Sequence, residues 1–161
     1  MRQVSQALDT EHRSSLDLLG RVEQSFAPAA RAGIGTDPGF ARLAAAFVRL
    51  IEHDIGRHFD FEEAELFPRM RDSGEGDIAQ LLQDEHDTMR EVAAEILPLA
   101  QDAAAGRLAS ADIDRLQRLA LEMVERQVSH IQKETMALLP LLDELLDDDT
   151  DRELAFSYAC D

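Results

Sequence analysis

The amino-acid sequence predicts an all-α protein folded as an antiparallel up-down-up-down four-helix bundle. Helix-favouring residues, chiefly Ala, Leu, Glu, Arg and Gln, dominate the chain, whereas the β-branched and aromatic residues typical of strands are sparse. Glycine and proline cluster in three stretches, residues 28–39, 73–77 and 106–112. Three such breaks leave four long segments, and short connections place consecutive helices antiparallel in a bundle.

The four predicted helices span residues 3–27, 38–72, 77–105 and 110–147. Each has apolar residues at three- and four-residue spacing, which is typical of a helix with one buried face. Asp37 followed by Pro38 predicts an N-cap and a first-turn proline for the second helix. Asp77 with Gln80 predicts a variant capping box for the third helix.

The length of 161 residues is that of one domain, which we place at residues 1–147. Residues 148–161 are acidic and weakly patterned, and they are expected to form a tail or a short extra helix. Pro98 and Pro140 lie inside the helical pattern and are predicted to kink or end their helices.

The chain is strongly acidic, with 33 Asp and Glu against 16 Lys and Arg and a net charge of −17. Such a surface repels phosphate groups, so nucleic acid and membrane surfaces are not expected partners. The single cysteine, Cys160, cannot build a disulfide framework or a thiolate metal site. No signal peptide or membrane-spanning run is visible, and we therefore expect a cytoplasmic protein.

Histidines and glutamates interrupt the buried face of every predicted helix. Each helix directs one histidine inward, and the second and fourth helices add a glutamate four residues later. Residues four apart lie on the same side of a helix. These inward polar residues are His12, His58, Glu62, His86, His130 and Glu134.

Four imidazoles and two carboxylates inside a bundle are costly unless they are paired, and metal ions would pair them. Imidazole nitrogen with carboxylate oxygen suits iron, zinc or manganese. If each of two ions takes two histidines and both glutamates bridge, each ion has four protein donors. An oxo or hydroxo bridge would make five, and at least one position on each ion would stay open to a small molecule.

An internal repeat supports a site of two similar halves. The segment from His58 to Pro68 matches the segment from His130 to Pro140, at an offset of 72 residues, in the order His, apolar, Glu, Leu, apolar, Pro. The pairs Glu11-His12 and Glu85-His86 repeat at an offset of 74 residues. The repeat thus predicts two helical hairpins, each of which supplies one lone histidine and one His-x-x-x-Glu pair.

These motifs resemble those of the hemerythrin-like, or HHE cation-binding, domains, which are non-haem di-iron four-helix bundles. The resemblance covers roughly residues 5–142 and is most specific at His58-Phe59-x-x-Glu62-Glu63 and the following Leu-Phe-Pro. It implies that the four inward histidines are terminal ligands, that the two inward glutamates bridge, and that the cofactor is a pair of iron ions. Oxygen carriers of this family have a second histidine one turn after the third-helix ligand, where this chain has Arg90.

Several further polar residues lie near the predicted ligands in the sequence or on the same helices. His53 is expected at the rim, with a proton relay or auxiliary ligand as the alternative. Glu63 and Glu65 are expected to be solvated. Arg90 is either a gate above the open metal position or a surface residue. Two glutamates, Glu11 and Glu85, are expected to be ordinary surface residues. The alternative is that they orient histidine rings.

The resulting hypothesis is a di-iron protein that binds or senses dioxygen, nitric oxide or peroxide. One alternative is an enzyme that decomposes peroxide or reduces nitric oxide at the same open site. The other is an iron-storage or structural metal bundle that acts as an adaptor, with zinc or another divalent metal in place of iron.

Overall fold

The computed structural model describes residues 1–31 and 33–160, and this part of the chain is helical with no strands. Its five long helices are α1 at Gln3–Ser25, α2 at residues 38–72, α3 at Gly76–Ala104, α4 at residues 113–145 and α5 at Asp148–Cys160. A single helical turn, Pro28–Arg31, and two 3-10 turns, Ile34–Thr36 and Ser110–Asp112, lie in the connections. The all-helical prediction is confirmed.

The first four helices form a closed ring. Helix α2 packs on α1 and α3, α4 packs on α3, and α4 also packs on α1. The connections between α2 and α3 and between α4 and α5 are only a few residues long. This arrangement is a helical bundle, and it is consistent with the up-down-up-down order predicted from the short connections.

One of the two predicted helix starts is confirmed and the other is wrong. The side chain of Asp37 accepts a hydrogen bond from the amide of Gly39 at 2.8 Å, as an N-cap does, and Pro38 opens the helix. Helix α3 begins earlier than predicted, after Glu75, which makes no side-chain cap. Asp77 therefore lies within the first turn, where its charge favours the positive end of the helix dipole.

Neither proline inside the helical pattern ends its helix. Helix α3 continues through Pro98 to Ala104, and α4 continues past Pro140 to Leu145. A proline has no N–H and its ring crowds the carbonyl four residues earlier, so the chain needs local adjustment there.

Before Pro140, and before Pro68 in α2, that adjustment is visible as a π-helical turn, in which the amide bonds the carbonyl five residues back. The residue preceding Pro68 donates in this way to Glu62, and the residue preceding Pro140 donates to Glu134. Wide turns of this kind often occur at functional positions. The three π turns each contain a predicted ligand and span Asp54–His58, Glu62–Leu66 and Glu134–Leu138.

The buried interior is divided into two apolar cores by one polar level. Towards one end, residues such as Leu19, Phe47 and Met123 form the larger core. Towards the other end, residues such as Leu8 and Leu66 form the smaller core. Each predicted ligand lies between the two cores along its helix, so the polar level is enclosed by apolar packing on both sides.

Helix α5 is docked against α1. The carboxylate of Asp151 accepts hydrogen bonds from the amides of Gln3 at 2.9 Å and Val4 at 3.0 Å, which have no partner within α1. Leu154 and Tyr158 are buried in the smaller apolar core. Over the described residues, no helix combines the length and apolar character needed to span a bilayer.

Candidate metal centre

The six predicted ligands come from all four helices of the ring and meet at the polar level. Helix α1 supplies one of them, α2 two, α3 one and α4 two. All are 0–4% exposed, which is uncommon for histidine and glutamate. They are His12, His58, Glu62, His86, His130 and Glu134.

The six side chains form two groups that share both glutamates. The first group contains His12, His58 and the two glutamates, and the second contains His86, His130 and the same two glutamates. Within each group the potential ligand atoms all lie within 4.8 Å of one another. Either group could hold a metal ion.

Each glutamate directs one oxygen to each group. For Glu62, Oε1 lies 3.1 Å from Nε2 of His58, and Oε2 lies 3.2 Å from Nε2 of His86. For Glu134, Oε2 lies 2.9 Å from Nε2 of His12, and Oε1 lies 2.8 Å from Nε2 of His130. Each glutamate could therefore give one oxygen to an ion held by either group.

The polar atoms of this centre are not satisfied by one another. All four oxygens of Glu62 and Glu134 are buried without a well-aligned hydrogen bond, although imidazole nitrogens are close. Nε2 of His86 lies only 3.0 Å from Nε2 of His130. Because the Nδ1 atom of each of these rings faces a carboxylate, neutral rings would direct lone pairs at each other. Cations between these nitrogens and oxygens would satisfy all of them, so the donor set fits metal ions.

Outer carboxylates hold three of the four imidazole rings. Nδ1 of His58 lies 3.0 Å from Glu11, Nδ1 of His86 lies 2.8 Å from Glu63, and Nδ1 of His130 lies 2.7 Å from Glu85. Such contacts fix the ring tautomer so that Nε2 is free to bind metal. His12 differs, since its Nδ1 is buried without a partner among the described residues.

A family model described as the hemerythrin HHE cation binding domain matches residues 3–142. The chain belongs to this family. The resemblance inferred from the His-x-x-x-Glu motifs is thereby confirmed, and the family description agrees with two clusters able to hold metal. A search of curated proteins finds no match to the chain.

Charge pairing dominates the electrostatics of this HHE domain. Burial opposes the protonated ring of His130, but the charge of Glu134 and contact with it raise the pKa of His130 to about 10. Burial likewise opposes the charge of His58, yet Glu62 and Glu11 raise its pKa well above its ordinary value. Protons therefore compete with metal for these nitrogens, and metal binding must release them.

The outer residues differ in part from the expectations. Glu11 and Glu85 do orient rings, but each acts on the histidine of the neighbouring helix rather than on the one beside it in sequence. Glu63, expected to be solvated, holds His86 and pairs with Arg90 at 2.8 Å. Hydrogen bonds from Arg90 and His86 outweigh the opposing effect of burial and lower the pKa of Glu63.

Arg90 and His53 both lie outside the six-residue centre. Arg90 makes further ion pairs with Asp60 and Asp87, and its guanidinium lies 5.6 Å from the centre of the Phe59 ring. Through its ion pair it supports Glu63. His53 is partly exposed at the rim, as expected, with Nε2 3.3 Å from Glu11.

Sequence reasoning missed Tyr158, which enters the site from helix α5. Its hydroxyl donates to Oε2 of Glu11 and lies 3.1 Å from Nδ1 of His58. Burial raises the pKa of the Glu11 carboxyl, but hydrogen bonds from His58 and Tyr158 reverse this and bring it to about 2. A buried aromatic with a polar tip needs a partner, yet the sequence gives no indication of which one.

Beside the centre, Asp54 is buried and accepts a hydrogen bond from Nε2 of Gln127 at 2.5 Å. Burial raises the pKa of Asp54 to about 6, although the charges of His58 and His53 oppose this. Because the folded pKa exceeds the unfolded one, folding favours the protonated carboxyl. This stabilisation is complete below about pH 4 and is lost as the pH rises through about 6.

We therefore expect Asp54→Asn to be more stable than the parent chain at pH 8, by about 1–3 kcal/mol, and nearly equal at pH 4. Urea unfolding at both pH values measures the difference. The same substitution at the exposed Asp72 is the control and should change stability little at either pH. A parent chain that is the more stable of the two at pH 8 would contradict the prediction.

Proposed function

We propose that this HHE domain is a non-haem di-iron protein that binds or senses dioxygen, nitric oxide or peroxide. The observation that carries the proposal is the sharing of Glu62 and Glu134, each with one oxygen towards either histidine pair. Two independent single-ion sites would not need to share both carboxylates. A centre in which two ions lie side by side does need shared carboxylates.

The donor count favours iron with open positions. Each ion would receive two imidazole nitrogens and one oxygen from each glutamate, which makes four protein donors. Iron commonly takes more than four ligands, so small molecules can add. A bound iron pair would supply the binding and reduction of such molecules. The protein residues supply −2 of charge at the centre and hold the imidazole rings in place.

The burial of the centre favours a small ligand. The six side chains are 0–4% exposed, and apolar cores enclose them on both sides. A cavity of about 390 Å³ lies on the outer side of the α3–α4 pair, lined by residues that include Asp84, Thr88 and Glu122 but none of the six. A substrate of that size would reach Glu85 at the cavity wall and not the centre itself. Diatomic molecules and peroxide are small enough for the interior.

Metal content and ligand reactivity test the proposal together. Natively purified protein should contain close to two irons per chain by elemental analysis. Anaerobic ferrous protein should develop a ferric charge-transfer absorption band with dioxygen, and reversal of the band on removing dioxygen would favour binding or sensing. Many turnovers with hydrogen peroxide, lost in Glu62→Ala, would instead assign an enzyme. Zinc in the native protein, or no metal at all, would contradict the di-iron proposal.

A further inference from the structure

The two halves of the metal centre differ in what surrounds their outer carboxylates. In the second half, Glu85 pairs with Lys133 at 2.5 Å, and Glu63 pairs with Arg90 at 2.8 Å. Each carboxylate there has a cation beside it. In the first half, the only outer carboxylate is Glu11, and no lysine or arginine of the described chain lies within 4.0 Å of it.

Tyr158 takes the place of those cations in the first half. Oε2 of Glu11 accepts from the Tyr158 hydroxyl and also lies near His58 and His53. Tyr158 belongs to α5, which lies beyond residues 3–142 of the family match. The residue that completes the first half thus comes from outside the family domain.

Helix α5 is held firmly enough to place this hydroxyl. At the start of α5, Asp151 accepts hydrogen bonds from the first amides of α1. At the other end the guanidinium of Arg57 lies 4.9 Å from the centre of the Tyr158 ring and donates to its backbone carbonyl. The ring of Phe61 packs on Tyr158 with centres 4.5 Å apart. Contacts at both ends of α5 therefore hold Tyr158 in place.

We propose that α5 is a working part of the metal centre, and that Tyr158 is a positioning residue that holds Glu11, and through it the ring of His58. It acts on the His12–His58 metal position and not on the His86–His130 position, so the two positions are unequal. This inference depends on the proposed function, since it requires that the centre binds two ions.

The physical reason is the orientation of a half-buried carboxylate. Glu11 is partly exposed, with about a third of its side chain accessible to solvent. Without the tyrosine hydroxyl it is free to turn towards water, and His58 then loses the partner that keeps Nε2 directed at the centre. Loss of such an outer partner typically weakens metal affinity about 10- to 100-fold. Glu63 and Glu85 are held by their own cations, so the second position does not depend on α5.

Zinc titration followed by NMR tests this position by position. Zn²⁺ is diamagnetic, so the imidazole ¹⁵N signals of the four histidines report the two positions separately within one full-length chain. With a competing chelator, Tyr158→Phe should weaken binding at the His12–His58 position about tenfold or more. Binding at the other position should stay unchanged. Ser157→Ala, which removes an exposed hydroxyl from the same helix, is the matched control.

Lys133→Met should produce the opposite pattern, with weaker binding at the His86–His130 position only. Glu11→Gln leaves α5 and its tyrosine intact and should reproduce the effect of Tyr158→Phe, which guards against a folding defect in that variant. Equal loss at both positions, or no loss, in Tyr158→Phe would overturn the inference. Failure of the unaltered chain to bind Zn²⁺ at two positions would overturn the proposed two-metal centre itself.

Discussion

Glu134→Ala is expected to lose both metal ions, whereas His12→Ala is expected to lose only one. The glutamate directs one oxygen to each histidine pair, and His12 contacts the first group alone. The loss of affinity in Glu134→Ala should exceed the roughly 10- to 100-fold effect of an outer partner. Elemental analysis and native mass spectrometry measure the metal-to-chain ratio of both variants. The ratio should fall from about two in the parent chain to near zero in Glu134→Ala and to about one in His12→Ala.

Glu144→Ala is the matched control, because this glutamate is exposed on the same helix α4. It should retain the full metal content. A Glu134→Ala chain that keeps one tightly bound ion would show that the carboxylate is not shared. The two histidine groups would then have to be regarded as independent sites.

Removing the metal is expected to lower the free energy of unfolding by about 4 kcal/mol for each ion lost, if free metal stands at about a thousand times its Kd for that position. For a chain of this size, the loss of each ion corresponds to roughly 8–16 °C in Tm. The reason is that buried imidazoles and carboxylates lose the cations that satisfy them. Thermal unfolding with and without a chelator measures the effect.

Protonation offsets only part of this loss. The pKa of His58 and that of His130 are raised by neighbouring carboxylates, so these rings take up protons when metal leaves. Glu134→Ala is the control, since a chelator should not lower the Tm of a chain that holds no metal. Unchanged stability of the parent chain without metal would count against a metal-filled centre.

The repeated motif made the inner residues of the centre predictable. A histidine and a glutamate four residues apart on one helix share a face whatever the helix packs against. His58 with Glu62 and His130 with Glu134 could therefore each be assigned to the buried face of one helix, and the repeat placed the two pairs in equivalent positions. The helix limits also followed closely, since glycine and proline mark the breaks between segments.

The outer residues could not be predicted because they depend on how helices are rotated against each other. Glu63 is next to Glu62 in sequence and points away from the centre on α2, yet α3 brings His86 to it. Tyr158 is 100 residues from His58 in the chain, and only the docking of α5 brings the two together. Neither contact has a periodic signature in the sequence.

Each histidine group includes the glutamate of the other hairpin, and this sharing bears on when the centre becomes able to bind metal. The group around His12 needs Glu134, and the group around His86 needs Glu62. A nascent chain that has left the ribosome only as far as α2 thus lacks one donor for its own ion. If two ions bind as proposed, neither group has its complete set of protein donors until α4 has been synthesised and packed against the other helices.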